Sequence, residues 1–354
     1  MVPYIVLYVF ILAMASMYDS MLKNSKRGKA FYVFVCFLAV FLLVALRHPS
    51  MGTDLGFGKT TGYLGSFTSI SNYSWKELLA MEGYLNYEIG FVVFNKLLGY
   101  ISTDHQFFIA VCAFLCTAPV FYIIYKKSET PTLPMLIFLG LPMFLLMYSG
   151  LRQAIALALC FVATMYIQEK KLIKFVLVIV FASLFHSSAL FFLIAYPLYF
   201  IRFGSAVRMI SVILIPVVFL LRKPMYAALT SIFGYETAMD NNGAVTLFLL
   251  LTALYIVCSA FETSETSGLL NIFFIACVLQ SMGGVNNLVL RIAWLFMVPI
   301  VFVLPKSLSQ IRDKSLRDII MAVAGVGFIA FGLYQVRFSS WQGAFPYIPF
   351  WGSL

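Results

Sequence analysis

The sequence has few charged residues and few histidines. Only 11% of its 354 residues are Asp, Glu, Lys or Arg, and three are His. A soluble domain has about 25% charged and about 45–50% apolar residues, whereas this chain is 62% hydrophobic, with a mean hydropathy of +0.96. No stretch is polar and long enough to form a separate soluble domain. The scarcity of charge therefore excludes a soluble enzyme and predicts a single integral membrane domain over residues 1–354.

The sequence also lacks the patterns that bind metals or form disulfides. Its six cysteines all lie inside apolar runs, so neither a disulfide framework nor a thiolate metal site is indicated. No Asp-x-Asp motif is present, and we expect neither a metal nor another cofactor. Most of the Lys and Arg residues behind the net charge of +10 lie in short loops between apolar runs. That distribution is typical of membrane proteins, so we expect no nucleic-acid partner.

Apolar runs between charge clusters predict an all-α, polytopic bundle of membrane helices. A helix needs about 20 residues to cross about 30 Å of hydrocarbon. No repeat with a period of about 20–50 residues is present, which excludes a repeat architecture. The runs predict about twelve spans, near residues 2–20, 30–47, 104–125, 132–149, 151–168, 171–186, 188–203, 207–221, 244–261, 268–285, 288–305 and 316–336.

The distribution of Lys and Arg predicts the orientation of these spans, because cytoplasmic loops are enriched in cations. If the first connection is cytoplasmic, fifteen of the 24 cations fall in inner loops and nine fall outside. Both termini then lie outside. Arg47, Arg152 and Arg291 all fall on this outer side.

The longest outer connection predicted by this orientation covers residues 48–103. Within it, residues 87–101 are apolar but short and contain Glu88 and Lys96, so we predict an amphipathic helix at the outer interface. Long loops of compact proteins are usually functional or disordered. The aromatic residues of this connection favour order, and Tyr63, Trp75 and Tyr87 are candidates to contact a ligand.

The three outer arginines directly adjoin long apolar runs. A guanidinium keeps its charge, and placing one near hydrocarbon costs about 2.5–3.5 kcal/mol even on the lenient insertion scale. Cations retained on one side at that cost indicate a bound anion. We therefore predict that Arg47, Arg152 with its neighbour Gln153, and Arg291 bind a pyrophosphate. For Arg47 the alternative is a side chain that reaches the interface and pairs with Asp54.

Three further residues are candidates for acid–base chemistry. Asp54 follows a Pro and Gly stop at the end of the second run, and Glu88 begins the predicted interfacial helix, where capping is the alternative role. His186 lies at an outer turn between two runs, and its imidazole can donate to phosphate or move protons near neutral pH. A histidine that is satisfied inside the core is the alternative for that position.

Four short motifs resemble a known family when they are taken in order. They are Leu46-Arg47 with Gly52-Thr53-Asp54, Glu88-Ile89-Gly90-Phe91, Leu151-Arg152-Gln153-Ala154-Ile155-Ala156, and Phe185-His186-Ser187-Ser188-Ala189-Leu190. With the terminal Phe345-Pro346-Tyr347, this series resembles the EpsG family of Wzy-like bacterial polysaccharide polymerases. The resemblance covers nearly the whole chain.

The resemblance implies a metal-independent membrane glycosyltransferase with a GT-C-like fold. Such an enzyme transfers a growing glycan from undecaprenyl pyrophosphate to a lipid-linked repeat unit at the outer face of the bacterial inner membrane, facing the periplasm or exterior. Its partners would be the two lipid-linked substrates, the bilayer and a chain-length regulator protein. Its product would be a capsule, O-antigen or exopolysaccharide.

The residues suggest how that reaction would proceed. Arginines stabilise the negative charge that grows on the departing pyrophosphate, with Arg152 the residue nearest a helix start. A base accepts the proton of the acceptor hydroxyl, with Asp54 as the first candidate and Glu88 or His186 as the second.

Other functions need similar residues. A flippase or exporter of lipid-linked glycans also carries cationic membrane residues, but transporters commonly have internal repeats and charges near the bilayer midplane. An O-antigen-type ligase differs only in its acceptor. A membrane acyltransferase is disfavoured, because His48 and Asp54 lack the adjacent spacing of such enzymes.

Overall fold

The computed structural model is helical and describes residues 1–22, 25–80, 87–233, 243–283 and 287–352. In these ranges no β-strand occurs, and an isolated antiparallel bridge joins Arg47 to Pro349. The all-α class is therefore confirmed. In chain order the first helices are α1 (Val2–Met17), α2 (Lys26–Ala45), α3 (Gly62–Asn72), α4 (Trp75–Ala80), α5 (Ile89–Gly99), α6 (His105–Lys127), α7 (Thr132–Gly140), α8 (Pro142–Leu145) and α9 (Leu151–Gln168).

The remaining helices follow after α9. They are α10 (Leu172–Ser183), α11 (Ala195–Phe200), α12 (Ser205–Phe233), α13 (Gly243–Ala260), α14 (Ser267–Ser281), α15 (Asn287–Phe296), α16 (Ile300–Leu308) and α17 (Lys314–Phe338). A π-helical turn, Tyr18–Leu22, follows α1, and a 3-10 helix, Ser187–Ile194, precedes α11.

The chain divides into two compact units, each described by itself. Unit 1 comprises the described residues of Met1–Met165, Leu177–Ser187 and Ala324–Leu354. Unit 2 comprises those of Tyr166–Val176 and Ser188–Val323.

Several described helices are long and apolar enough to cross a membrane. By length and composition there are six: Val2–Leu22, Lys26–Ala45, His105–Lys127, Leu151–Gln168, Ser205–Ala228 and Lys314–Phe338. A seventh results if Leu288–Phe296 and Ile300–Leu308, which are bent by 46° relative to each other, form one span. The protein is therefore a multi-pass membrane protein, whereas the predicted number of about twelve full spans is not confirmed.

The other predicted spans contain short helices, because each helix ends before it is long enough to cross the hydrocarbon. The run at 132–149 stops at Gly140, and Pro142 then begins the four-residue helix α8. The run at 171–186 contains α10, whose 12 residues rise about 18 Å, less than the hydrocarbon thickness of about 30 Å. Apolar helices of 10–17 residues also lie in the remaining runs: Ser187–Phe200, Val245–Ala260 and Ser267–Ser281.

The predicted outer connection contains the three helices α3, α4 and α5. The helix α5 lies inside the segment 87–101, for which the sequence predicted an interfacial helix. It exposes Ile89 and Leu97 and buries Lys96, whose Nζ donates to the carbonyl oxygen of Ser71 at 2.8 Å. The helix α5 is thus fastened to the end of α3, with apolar side chains on its exposed face.

The tail at residues 343–350 holds the segment at residues 43–52 in place. Gly343 has a φ of +60°, and a Cβ there would lie 2.9 Å from the backbone nitrogen of Gly52. The backbones of the two segments therefore approach each other closely. Four hydrogen bonds join the segments: His48 N to Ile348 O at 2.8 Å, Phe350 N to Leu46 O at 2.8 Å, Gly52 N to Gly343 O at 3.1 Å, and Tyr347 OH to Leu43 O at 2.9 Å.

Arg208, near the start of α12, is the centre of a buried polar network in unit 2. Its side chain is 6% exposed and donates to both carboxylate oxygens of Glu262, at 2.8 and 2.6 Å. It also donates to Tyr255 OH at 2.9 Å and to Asn271 Oδ1 at 2.8 Å. Asn271 in turn donates to two carbonyl groups at the C-terminal end of α11, at 3.0 and 2.7 Å. Buried charges need such pairing, so this network fixes how α11 to α14 pack.

We expect Glu262→Ala to destabilise unit 2 by about 3–5 kcal/mol, because Arg208 would remain buried without its carboxylate partner. The matched control is Glu265→Ala. Glu265 is 75% exposed and pairs with the 44% exposed Lys306, and an exposed pair contributes only about 0–1 kcal/mol. Thermal unfolding of the purified proteins in detergent measures both. Equal melting temperatures for the two variants would contradict the role given to Arg208.

Candidate functional site

The loop at residues 48–54 packs against the turn that precedes α9. Gly52 has a φ of +109°, and a Cβ at this position would lie 1.9 Å from the carbonyl oxygen of Tyr148. Only glycine therefore allows the two backbones to come so close. Beside it, Thr53 Oγ1 lies 2.7 Å from Ser149 Oγ, which also accepts from the backbone N–H of Asp54 at 3.3 Å. The loop and the turn thus form one rim on unit 1.

Arg47 is buried beside this rim and holds its backbone in place. Its side chain is 0% exposed, and it donates to the carbonyl oxygens of Val44 at 2.9 Å and Tyr148 at 3.4 Å. Its guanidinium carbon lies 4.9 Å from the centre of the Tyr148 ring. No ion pair with Asp54 forms within the described residues, so the pairing that the sequence allowed as an alternative is absent there. In this structure Arg47 has backbone and aromatic partners and no surface open to a solute.

Arg152 lies in the first turn of α9 and pairs with Glu88. The other carboxylate oxygen of Glu88 accepts from the backbone N–H of Ser187 at 2.8 Å. Both side chains keep some exposure, 19% for Arg152 and 20% for Glu88. The pair therefore joins the start of α9, the start of α5 and the turn after α10 at a place that remains accessible.

Gly90 explains how Glu88 reaches that turn. A Cβ at Gly90 would lie 2.5 Å from Leu184 Cβ and 2.6 Å from Leu184 O. The next residue, Phe91, donates its backbone N–H to Leu184 O at 3.2 Å. Glu88 is the N-cap residue of α5, but its side chain makes no capping bond. The carboxylate is therefore available to Arg152. Glu88 does not cap α5 with its side chain, which was the alternative role considered from the sequence.

Two tyrosines flank the guanidinium of Arg152. Its central carbon lies 4.6 Å from the ring centre of Tyr87 and 5.9 Å from that of Tyr63. The two rings stack with centres 5.9 Å apart and planes 25° apart, and Ser66 Oγ donates to Tyr87 OH at 3.1 Å. The Nε of Arg152 is buried and has no hydrogen-bond partner. The Nε of Arg47 is in the same state, so what distinguishes Arg152 is its partly exposed guanidinium beside an aromatic wall.

The other predicted site residues lie at several places. His186 is half-buried beside Ser187 in the turn that Glu88 contacts, and Gln153 is 3% exposed in α9. Asp54 is exposed, and its Oδ1 accepts from Thr53 Oγ1 at 3.5 Å. Trp75 is 40% exposed at the start of α4. Arg291 is exposed on α15 in unit 2 and is described with that unit alone.

Sequence reasoning missed two side chains and one backbone group. Thr53 and Ser149 fasten the loop to the turn before α9, and the N–H of Ser187 fixes the Glu88 carboxylate. The signal was the hydroxyl residues directly beside Asp54 and His186 and three residues before Arg152. Within the described residues, no group of three or more His, Cys, Asp and Glu side chains is arranged to hold a metal ion.

The environment of Glu88 lowers the pKa of its carboxyl group. Partial burial raises this pKa, but the N–H of Ser187, the residue's own N–H and the nearby charges of Arg152 and His186 act more strongly in the opposite direction. Glu88 is therefore a carboxylate at neutral pH. A carboxylate held in this way is better suited to orient Arg152 than to take up a proton.

The lowered pKa of Glu88 predicts a pH-dependent contribution to stability. The contribution is complete above the carboxyl pKa of the unfolded chain and is lost as the pH falls through the lower folded value. We expect the melting temperature of the wild type to fall more steeply on acidification than that of Glu88→Gln. Glu129→Gln, at an exposed carboxylate, is the control and follows the wild type. Parallel wild-type and Glu88→Gln curves would contradict this account.

Comparison with known proteins identifies the family. The sequence profile of the EpsG family matches residues 29–348, nearly the whole chain, which confirms the resemblance seen in the motifs. No curated protein is a significant match. No solved structure is a significant match either. Since the profile match covers far more than half of the residues, the chain belongs to the EpsG family.

Proposed function

We propose that this protein is a polysaccharide polymerase of the bacterial inner membrane. It transfers a growing glycan from undecaprenyl pyrophosphate to a lipid-linked repeat unit at the outer face. Family membership and the multi-pass helices support a membrane enzyme of this class. The observation that carries the proposal is Arg152, a partly exposed guanidinium at the start of a membrane helix, beside a carboxylate and two tyrosine rings. A GT-C-like fold and metal-independent chemistry belong to the same proposal.

Arg152 stabilises the leaving group. In the reaction, the bond between the anomeric carbon and the pyrophosphate oxygen breaks, and its electron pair remains on the pyrophosphate. A cation already oriented at that oxygen stabilises the transition state more than the ground state. Helix starts favour anions, so the first turn of α9 reinforces Arg152. Glu88 orients the guanidinium before the substrate arrives.

A base completes the reaction by accepting the proton of the acceptor hydroxyl, while the hydroxyl oxygen bonds to the anomeric carbon. Asp54 is the first candidate, because its exposed carboxylate lies on the rim and has no arginine partner among the described residues. His186 is the second candidate, beside the Glu88 carboxylate. Glu88 is the weakest base of the three, since Arg152 and the Ser187 N–H already occupy its oxygens.

Sugar rings contact the aromatic residues of the outer connection. Tyr63 and Tyr87 already form a stacked pair beside Arg152, and Trp75 exposes its ring on α4. The proposed partners are the two lipid-linked substrates, together with a protein that regulates chain length. Because Arg47 has no exposed surface, it acts by holding the Tyr148 turn in place.

We expect Arg152→Ala to lower the rate of chain lengthening by about 10²–10³-fold, because a preorganised donor to the leaving group is lost. Arg152→Lys recovers part of the rate. Arg312→Ala, at an exposed arginine between α16 and α17, is the matched control and keeps it. The assay uses purified protein in detergent with lipid-linked repeat units and resolves the products on a gel. A flippase would not lengthen the glycans in this assay. Long chains from Arg152→Ala would overturn the proposal.

Asp54→Asn and Glu88→Gln separate the base from the residue that orients Arg152. Loss of a general base lowers the rate by about 10²–10⁴-fold and removes the acidic limb of the kcat/KM pH profile. We expect this result for Asp54→Asn. Glu88→Gln lowers the rate but keeps the acidic limb. If Glu88→Gln alone removes that limb, the two roles are reversed.

A further inference from the structure

A polar cavity lies on unit 1, lined in part by the start of the loop that carries Asp54. Its volume is about 460 Å³, and the residues that matter to its chemistry are His48, Thr103, Asp104, His105, Gln106 and Phe350. We propose that this cavity, here named the His48 cavity, binds a segment of the growing glycan chain as a neutral polyhydroxyl ligand. The inference rests on the proposed function and adds a holding site remote from the reacting atoms.

The walls of the His48 cavity present several hydrogen-bonding groups. The Nε2 of Gln106 donates to the carbonyl oxygen of Arg47 at 3.1 Å, while its Oε1 is buried and has no donor. His48 uses Nδ1 for Ser50 Oγ at 2.8 Å, which leaves Nε2 for a ligand. The carboxylate of Asp104 is exposed, with Oδ1 accepting from the N–H of Phe107 at 2.8 Å. The lining thus combines hydrogen-bond donors and acceptors, and a sugar hydroxyl can pair with either.

These groups select the class of ligand. An anion is disfavoured because the lining contains a carboxylate and no Lys or Arg. A metal ion is disfavoured because the described His and Asp side chains form no ligand group of three or more. An apolar ligand would leave buried polar groups without partners. A neutral ligand with many hydroxyl groups satisfies both donors and acceptors.

Exposed aromatic rings belong to one lining residue and to neighbours of two lining residues. Phe350 lines the cavity and is 44% exposed, and its ring contacts that of Trp351 with centres 4.8 Å apart. Phe57, which is 41% exposed, lies against the His48 ring with centres 5.1 Å apart. Sites for small ligands combine apolar or aromatic walls with a few convergent polar groups. The apolar face of a sugar ring would stack on the ring of Phe350.

The His48 cavity lies close to the candidate active site, because the loop at residues 48–54 and the helix α3 serve both places. The loop from His48 to Asp54 can span at most about 20 Å even when fully extended. The helix α3 also serves both places: Thr68 Oγ1 lies 2.9 Å from His105 Nε2, while Tyr63, one and a half turns earlier, faces Arg152. A glycan that extends away from the Arg152 cluster along the loop therefore reaches the cavity. Holding the chain there keeps it on the enzyme between successive additions, which lengthens the product.

The test uses Phe350→Ala, which removes the ring but keeps the backbone N–H that donates to Leu46. A second variant, Thr103→Trp, fills the cavity from an exposed position. Phe338→Ala, at a 64% exposed ring of α17 outside the cavity lining, is the control. The first readout is the length distribution of polymer made by cells carrying each variant. The second is calorimetric binding of oligosaccharide, released by mild acid from the wild-type polymer, to purified Arg152→Ala protein, alone and combined with Phe350→Ala, Thr103→Trp or Phe338→Ala.

We expect both cavity variants to shorten the modal chain by at least about 2-fold. Loss of one aromatic contact is expected to weaken oligosaccharide binding by about 5–10-fold, while Phe338→Ala changes neither readout. Wild-type chain length and unchanged binding in both cavity variants, at normal protein levels, would overturn the inference alone. Long chains from Arg152→Ala would instead overturn the proposed function, so the two failures are distinguishable.

Discussion

The contact between Arg152 and Glu88 determines the arrangement of the candidate site. It joins the starts of two helices, α9 and α5, to the turn after α10, and the N–H of Ser187 completes it. A charged pair in a membrane protein is favourable only where other groups satisfy the remaining donors and acceptors. Here the tyrosine rings and the turn supply most of them, and the Arg152 Nε stays unpartnered. Under the proposed function, the pyrophosphate contacts the exposed part of this guanidinium.

Arg47 and Arg152 lie around the same turn but have opposite surroundings. The difference distinguishes an arginine that stabilises the fold from one that is open to a substrate. Arg47 contacts the Tyr148 ring and two backbone carbonyls and has no exposed surface. Arg152, four residues after Tyr148, keeps 19% of its side chain exposed. A guanidinium without access to solute stabilises the turn, whereas one at the rim is available for a substrate. Replacing Arg47 would therefore loosen the turn, whereas replacing Arg152 would remove the cation at the rim.

Much of this arrangement could be predicted from residue type and spacing, because charge inside apolar runs is rare enough to be informative. The sequence predicted one catalytic set of Asp54, Glu88, Arg152 and His186, and the structure brings the last three together in unit 1. Of the other predicted pyrophosphate ligands, Arg47 is buried and Arg291 is described with unit 2. Hydropathy predicted the helical membrane class but overcounted full spans, since it does not register a break such as the one between Gly140 and Pro142. It also cannot tell whether an arginine such as Arg47 finds carbonyl partners, because those contacts come from residues distant in the sequence.

The tail that closes over the first loop has a consequence for biosynthesis. Tyr347 contacts the carbonyl of Leu43 across a separation of 304 residues. Segments near the N-terminus are made and packed first during translation, so the loop carrying Asp54 gains this restraint only after residue 347 has been made. A nascent chain that has not reached this residue lacks the hydrogen bond that helps to hold the rim in place.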